Sequence, residues 1–97
     1  MKVRFTRRAS ADLREIRAYH EQESSAVALR VRQAIISAIN LVRLRPAIGI
    51  RNIRATEIRS KLVTGFPYRI HYRVRSGALE ILHIRHTARQ GWPAKRE

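Results

Sequence analysis

The stretch from Gly65 to His86, GFPYRIHYRVRSGALEILHIRH, constrains this chain more than any other. From Tyr68 to Arg75 two parities alternate: Tyr68, Ile70, Tyr72 and Val74 on one, Arg69, His71, Arg73 and Arg75 on the other. Period-two alternation marks a half-buried strand. One face goes to a core and the other carries a row of cations. Ser76-Gly77 then predicts a tight hairpin turn, because glycine tolerates positive φ. The return run carries Leu79, Ile81, Leu82 and Ile84 on both parities, the pattern of an interior strand. Pro67 sits at the start of the first run, where a missing N–H does least harm.

The segments before this hairpin supply its cover. Lys2 to Thr6 alternates, with Val3 and Phe5 on one face, and reads as a short first strand. Arg8 to Glu21 reads as a helix capped by Thr6 or Ser10. Its buried stripe is Ala9, Leu13, Ile16 and Tyr19 or His20. Asp12 and Glu15 lie early in this helix, where acids suit its dipole; His20 reads as a helix-end residue. Ser24-Ser25 caps a second helix over Ala26 to Arg45, and Pro46 ends it. Arg30, Gln33, Ser37 and Asn40 make its polar line. Val27, Val31, Ala34, Ile35, Ala38, Ile39, Leu41 and Val42 make its apolar arc. Leu29 and Ile36 fall outside that arc, seven residues apart, and read either as a wider core or as anchors for a partner helix. Residues 46–50 form a turn about Gly49. A switch of parity near Thr56-Glu57 suggests a bulge or the end of a loop, and a strand follows at about Ile58 to Thr64. Antiparallel pairing would then place Arg59 and Lys61 beside Arg69, His71 and Arg73. Trp92 is expected to tuck against the sheet or first helix, and residues 94–97 to fray.

Strand, helix, helix and three strands give an α+β fold: an N-terminal strand, a helical hairpin, then an antiparallel sheet of three or four strands. The 97 residues fit one domain, residues 1–97. The sequence has no uninterrupted apolar run of about 18 residues, so no membrane span is expected. Lys2-Val3-Arg4-Phe5 opens the chain without the apolar region of a signal peptide. The absence of cysteine excludes disulfides and thiolate catalysis, and a cytosolic protein is expected.

Charge narrows the partner. Twenty-one Lys and Arg face seven Asp and Glu, a formal net charge of +14. Only Lys2, Lys61 and Lys95 are lysine; the rest are arginine, whose forked guanidinium suits carboxylate and phosphate. Such a chain calls for an anionic partner, nucleic acid or an acidic protein segment. No glycine-rich phosphate loop is present, and no cofactor is implied. His83 and His86, three apart on a strand, point to opposite faces and make a poor metal pair with His71. Metal-free RNA cleavage needs a base, an acid and cations for the phosphorane. His71 or His86 with Arg69, Arg73 and Arg85 could supply these, or the same residues could simply hold an acidic partner.

GFPYRIHYRV (65–74) followed by LEILHIRHTARQGWP (79–93) resembles the RelE/ParE superfamily of bacterial toxins. ADLREIRAY (11–19), and RPAIG (45–49) after a long second helix, agree with it over nearly the whole chain. The HTARQGWP ending looks more like the ParE branch. The resemblance implies a toxin of a type II toxin–antitoxin operon. It would be held in a hetero-oligomer by an acidic antitoxin. ParE-like members are similar to poisons of DNA gyrase that are not enzymes. RelE-like members cleave mRNA on the ribosome, for which Arg69, His71, Arg85 and His86 are the catalytic candidates. Here no tyrosine follows the last strand. For the antitoxin, the expected contacts are Leu29 and Ile36, or the sheet face with Arg59, Arg69 and Arg73.

Overall fold

The computed structural model describes residues 1–88, so the expectations for Trp92 and for residues 94–97 lie outside the described residues. In chain order come β1 (Lys2–Phe5), α1 (Arg7–Glu21), α2 (Ser25–Leu44), a 3₁₀ turn at Pro46–Ile48, β2 (Ile50–Arg51), β3 (Arg59–Leu62), β4 (Tyr68–Arg75) and β5 (Ala78–His86). The strands lie in the order β1-β5-β4-β3-β2. The fold is α+β, as the sequence indicates, but its sheet has five strands and is mixed. β1 runs parallel to β5, with Lys2 opposite Ala78, while the other pairs are antiparallel. Parallel neighbours need a long crossover, here everything from α1 to β4. β2 escaped the sequence reading because two residues cannot show an alternation.

Thr6, not Ser10, caps α1: its hydroxyl accepts from the Ala9 N–H at 3.0 Å and donates to the Leu82 carbonyl at 2.9 Å. Ser24 caps α2 through the Val27 N–H at 3.0 Å. α2 buries Val31, Ile35 and Val42 against Ile70, Tyr72, Leu79 and Ile81 of the sheet. Truncating one such side chain to alanine costs about 2–5 kcal/mol. Leu41, expected in this arc, is 39% exposed, so the buried stripe is narrower than drawn. Among the described residues α2 alone is long and apolar enough to cross a membrane by length and composition. In this fold its apolar side is the core.

The β4–β5 register slips by one residue. His71 faces His83, but Tyr72 faces Ile81, and Leu82 is the extra residue of a bulge on β5. The bulge explains the apolar run that reads as two-sided. Leu79 and Ile81 are on the core parity before it, and Ile84 returns to the core after it. Of the two readings of Thr56-Glu57, the loop end is the one found: the loop before β3 is closed by the Asn52 side chain on the N–H groups of Arg54 and Ala55. The predicted turn is as expected: Ser76 and Gly77 both have positive φ.

Candidate functional site

The far face of the sheet, away from the helix-packed core, is where the sequence placed its cations. Paired residues share a face, so the register decides which cations meet. Arg69 pairs with Arg85 and His71 with His83, which puts these four on the far face. His86 pairs with Tyr68 and stacks edge-on to its ring at 5.6 Å, on the opposite face. The proposed catalytic set of Arg69, His71, Arg85 and His86 is therefore split. His71 is itself 3% exposed. Burial, ahead of the nearby charges of His83, Arg85 and Arg69, lowers its pKa to about 4.

Arg59 is a second correction. It pairs with Tyr72, and Lys61 with Ile70, so both lie on the parity opposite Arg69 and His71. The strand enters one residue out of phase with the expectation, and a one-residue shift exchanges the faces. The Arg59 guanidinium donates to the carbonyls of Ala47 and Gly49 at 3.2 and 3.0 Å. Beside it the Tyr72 hydroxyl donates to the Pro46 carbonyl at 2.5 Å and accepts from the Gly49 N–H at 3.0 Å. Burial pushes this phenol's pKa up. A Cβ at Gly49 would collide with that hydroxyl, so glycine is required there for space, not for φ.

Two of the far-face cations, Arg73 and Arg69, are engaged with the fold. Arg73 pairs with Glu80 across the strands at 2.7 Å and with Glu57 at 3.3 Å. That hydrogen bond from Arg73 holds the Glu80 carboxyl below its usual range. Arg69 donates to the Ser60 hydroxyl at 2.9 Å. Asp12, which the sequence suggested was only an acid suited to the helix dipole, is buried. It takes over the edge of β5 where β1 stops, accepting from the Ile84 N–H at 2.8 Å and from His83 Nδ1 at 2.5 Å. Arg8 and Arg85 approach His83 Nε2 at 3.4 and 3.3 Å. A carboxylate only accepts, so the His83 ring directs an Nδ1 hydrogen toward Asp12. His20, read as a helix-end residue, bonds the Tyr68 hydroxyl at 2.8 Å.

A different surface is left unfilled. Between α1 and α2 lies a groove of about 450 Å³ with Leu13, Ile16, Val31, Ile35, Ile36 and Ile39 in its walls and floor, and Phe5 also in its lining. Ala28, Arg14, Arg17 and Arg32 complete the lining. Arg17 is bonded to Glu21 at 3.1 Å, while Arg14 and Arg32 have no carboxylate partner among the described residues. Ile36 is 39% and Leu29 51% exposed, so neither widens the core; Ile36 lines the groove and Leu29 does not. The sequence signal for the rim was present. Arg14 and Arg17 follow the stripe residues Leu13 and Ile16, and Arg32 lies between Leu29 and Ile36.

Comparison with known proteins agrees with this fold. A solved chain of the "Chromosomal ParDE TA system from P. aeruginosa" matches with a TM-score of 0.75 at 23% identity, covering 89% of this chain and 95% of that one. At that identity the likeness concerns the fold. A protein of Sinorhizobium fredii (strain NBRC 101917 / NGR234) named as a candidate toxin, Y4kP, is 38% identical over 92 residues, 95% of this chain and 93% of its own length. The family model for the ParE toxin of the type II toxin–antitoxin system, parDE, matches residues 3–91. The RelE alternative is thereby set aside: the chain belongs to the ParE family of type II toxins.

Proposed function

We propose that this toxin acts by binding and blocking DNA gyrase, and that an acidic antitoxin silences it by laying an amphipathic helix in the α1–α2 groove. One observation carries the antitoxin part: an apolar trough whose lining includes the guanidiniums of Arg14, Arg17 and Arg32. A helix with aliphatic residues on one side and carboxylates flanking them fits both features. Ile36, one of the two anchors read from the sequence, lies in this trough. The sheet-face alternative is weaker, because Arg59 and Arg73 are already bonded within the fold. The likeness to the ParE branch supports gyrase as the target. It accords with a far face on which His71, the histidine that shares it with Arg69 and Arg85 in the catalytic set, is buried and has its pKa lowered to about 4.

The test is expression of the toxin in a bacterium with two readouts from the same cells. The expected result is trapped gyrase–DNA complexes with intact mRNA, reversed by co-expression of the antitoxin. Codon-phased mRNA cuts without trapped gyrase overturn the target. Full neutralisation of an Ile36→Glu variant overturns the groove.

A further inference from the structure

Between Glu23 and Glu57 the sequence has no acidic residue and six arginines. The latter part of this stretch joins α2 to β3 around the β2 edge of the sheet, and it exposes its aliphatic residues. Leu44 is 70%, Ile50 66% and Ile53 93% exposed. Arg43, Arg45, Arg51 and Arg54 alternate with them and have no carboxylate partner among the described residues. The rim is held in place, not loose. Tyr72 and Arg59 clamp residues 46–49, and Asn52 closes the following loop through Arg54, Ala55 and the Ile58 carbonyl. Exposed aliphatics on a fixed, acid-free rim have no role in this chain's own core.

We propose that this rim, centred on Ile50, Ile53, Arg51 and Arg54, docks an acidic protein surface belonging to the toxin's target. The proposal rests on the reading that the toxin acts by binding a protein. Three alternatives fit the rim less well. A second copy would bring arginines against arginines. A nucleic acid would use the arginines, but phosphate contacts gain nothing from Ile50 or Ile53. The antitoxin helix lies elsewhere: at about 100° per residue, Leu44 falls about 150° around α2 from the centre of the groove-lining residues. The toxin thus has two docking surfaces on different sides, both basic and apolar.

Two double variants test this, Ile50→Ser/Ile53→Ser and Arg51→Glu/Arg54→Glu. Each is made in the full chain and co-produced with the antitoxin of the same operon, whose binding also reports that the variant folds. Both are expected to need at least about 10-fold more inducer for growth arrest, with an antitoxin Kd within about twofold of the unaltered chain's. Growth arrest by the serine variant at the unaltered level overturns the proposal, because arginines alone then suffice. So does a dimer of the unaltered toxin that the serine variant converts to monomer, or antitoxin binding weakened about 10-fold in either variant. Gyrase trapping is scored in the same cells. If the unaltered toxin traps no gyrase and the variants still lose arrest, the target was wrong and the rim stands. If both variants trap gyrase at the unaltered level, the rim is wrong and gyrase stands.

Discussion

The sheet and the helical hairpin both carry arginine, and they use it in opposite ways. On the sheet, Arg73 binds Glu80 and Glu57, Arg59 binds the carbonyls before β2, and Arg85 approaches a histidine that is itself held by Asp12. Those cations hold the fold together. Along the groove, Arg14 and Arg32 flank exposed aliphatics and have no carboxylate partner among the described residues. Net charge announces that an anionic partner exists. Only the internal ion pairs tell which cations are left to meet it.

The largest effect that could break this comparison is at Asp12. Asp12→Ala leaves His83 and the Ile84 N–H without their acceptor, and such buried losses cost about 3–5 kcal/mol. For a domain of this size the thermal midpoint should fall by about 10 °C or more. A loss below about 1 kcal/mol would mean that the sheet's charges are not structural.

Acid tests the same region. His71 has its pKa lowered from 6.5 to about 4, so between those values the unfolded chain binds a proton that the folded chain refuses. Its contribution is complete above about pH 6.5 and is lost as pH falls toward 4, about 3 kcal/mol over the whole window. Urea midpoints at pH 7.5 and 4.5 should show most of this loss. His71→Gln should flatten the slope, and an unchanged slope removes His71 as its source.

The groove gives the converse result. Arg14→Glu/Arg32→Glu should raise the antitoxin Kd by about 100-fold and leave the unfolding midpoint of the toxin nearly unchanged. Arg73→Ala should do the opposite, lowering the midpoint with the Kd intact. Calorimetric titration and thermal unfolding of both proteins decide it; matching losses in both columns erase the distinction between the two regions. The smallest effect is expected for the exposed Arg17–Glu21 pair, where Glu21→Gln should change stability by at most about 0.5 kcal/mol in the same unfolding experiment.

The fold class was legible because its main elements carried distinct signals: a period of two in β4, 3.6 in the helices, and a Ser-Gly turn between β4 and β5. For Leu29 and Ile36 the sequence left a wider core and a partner surface both open; their exposure decides against the core, and only Ile36 lines the groove. Facing was not legible. The phase of β3 depends on the loop before it, so Arg59 was assigned to the wrong side. Asp12 could not be found locally, because its partners His83 and Ile84 are about seventy residues away. His86 went astray through pairing: it follows β4's Tyr68 to the helix-packed face, whatever its neighbours in sequence suggest.

The parallel pairing of β1 with β5 also sets an order in time. Lys2 is made 76 residues ahead of its partner Ala78. At about 5–20 residues per second, roughly 4–15 s separate the two during synthesis. Both groove-lining helices leave the ribosome within that interval, before β5 exists to close the sheet. The surface proposed for silencing is therefore translated ahead of the finished toxin, and an antitoxin already in the cell has the first opportunity to meet it.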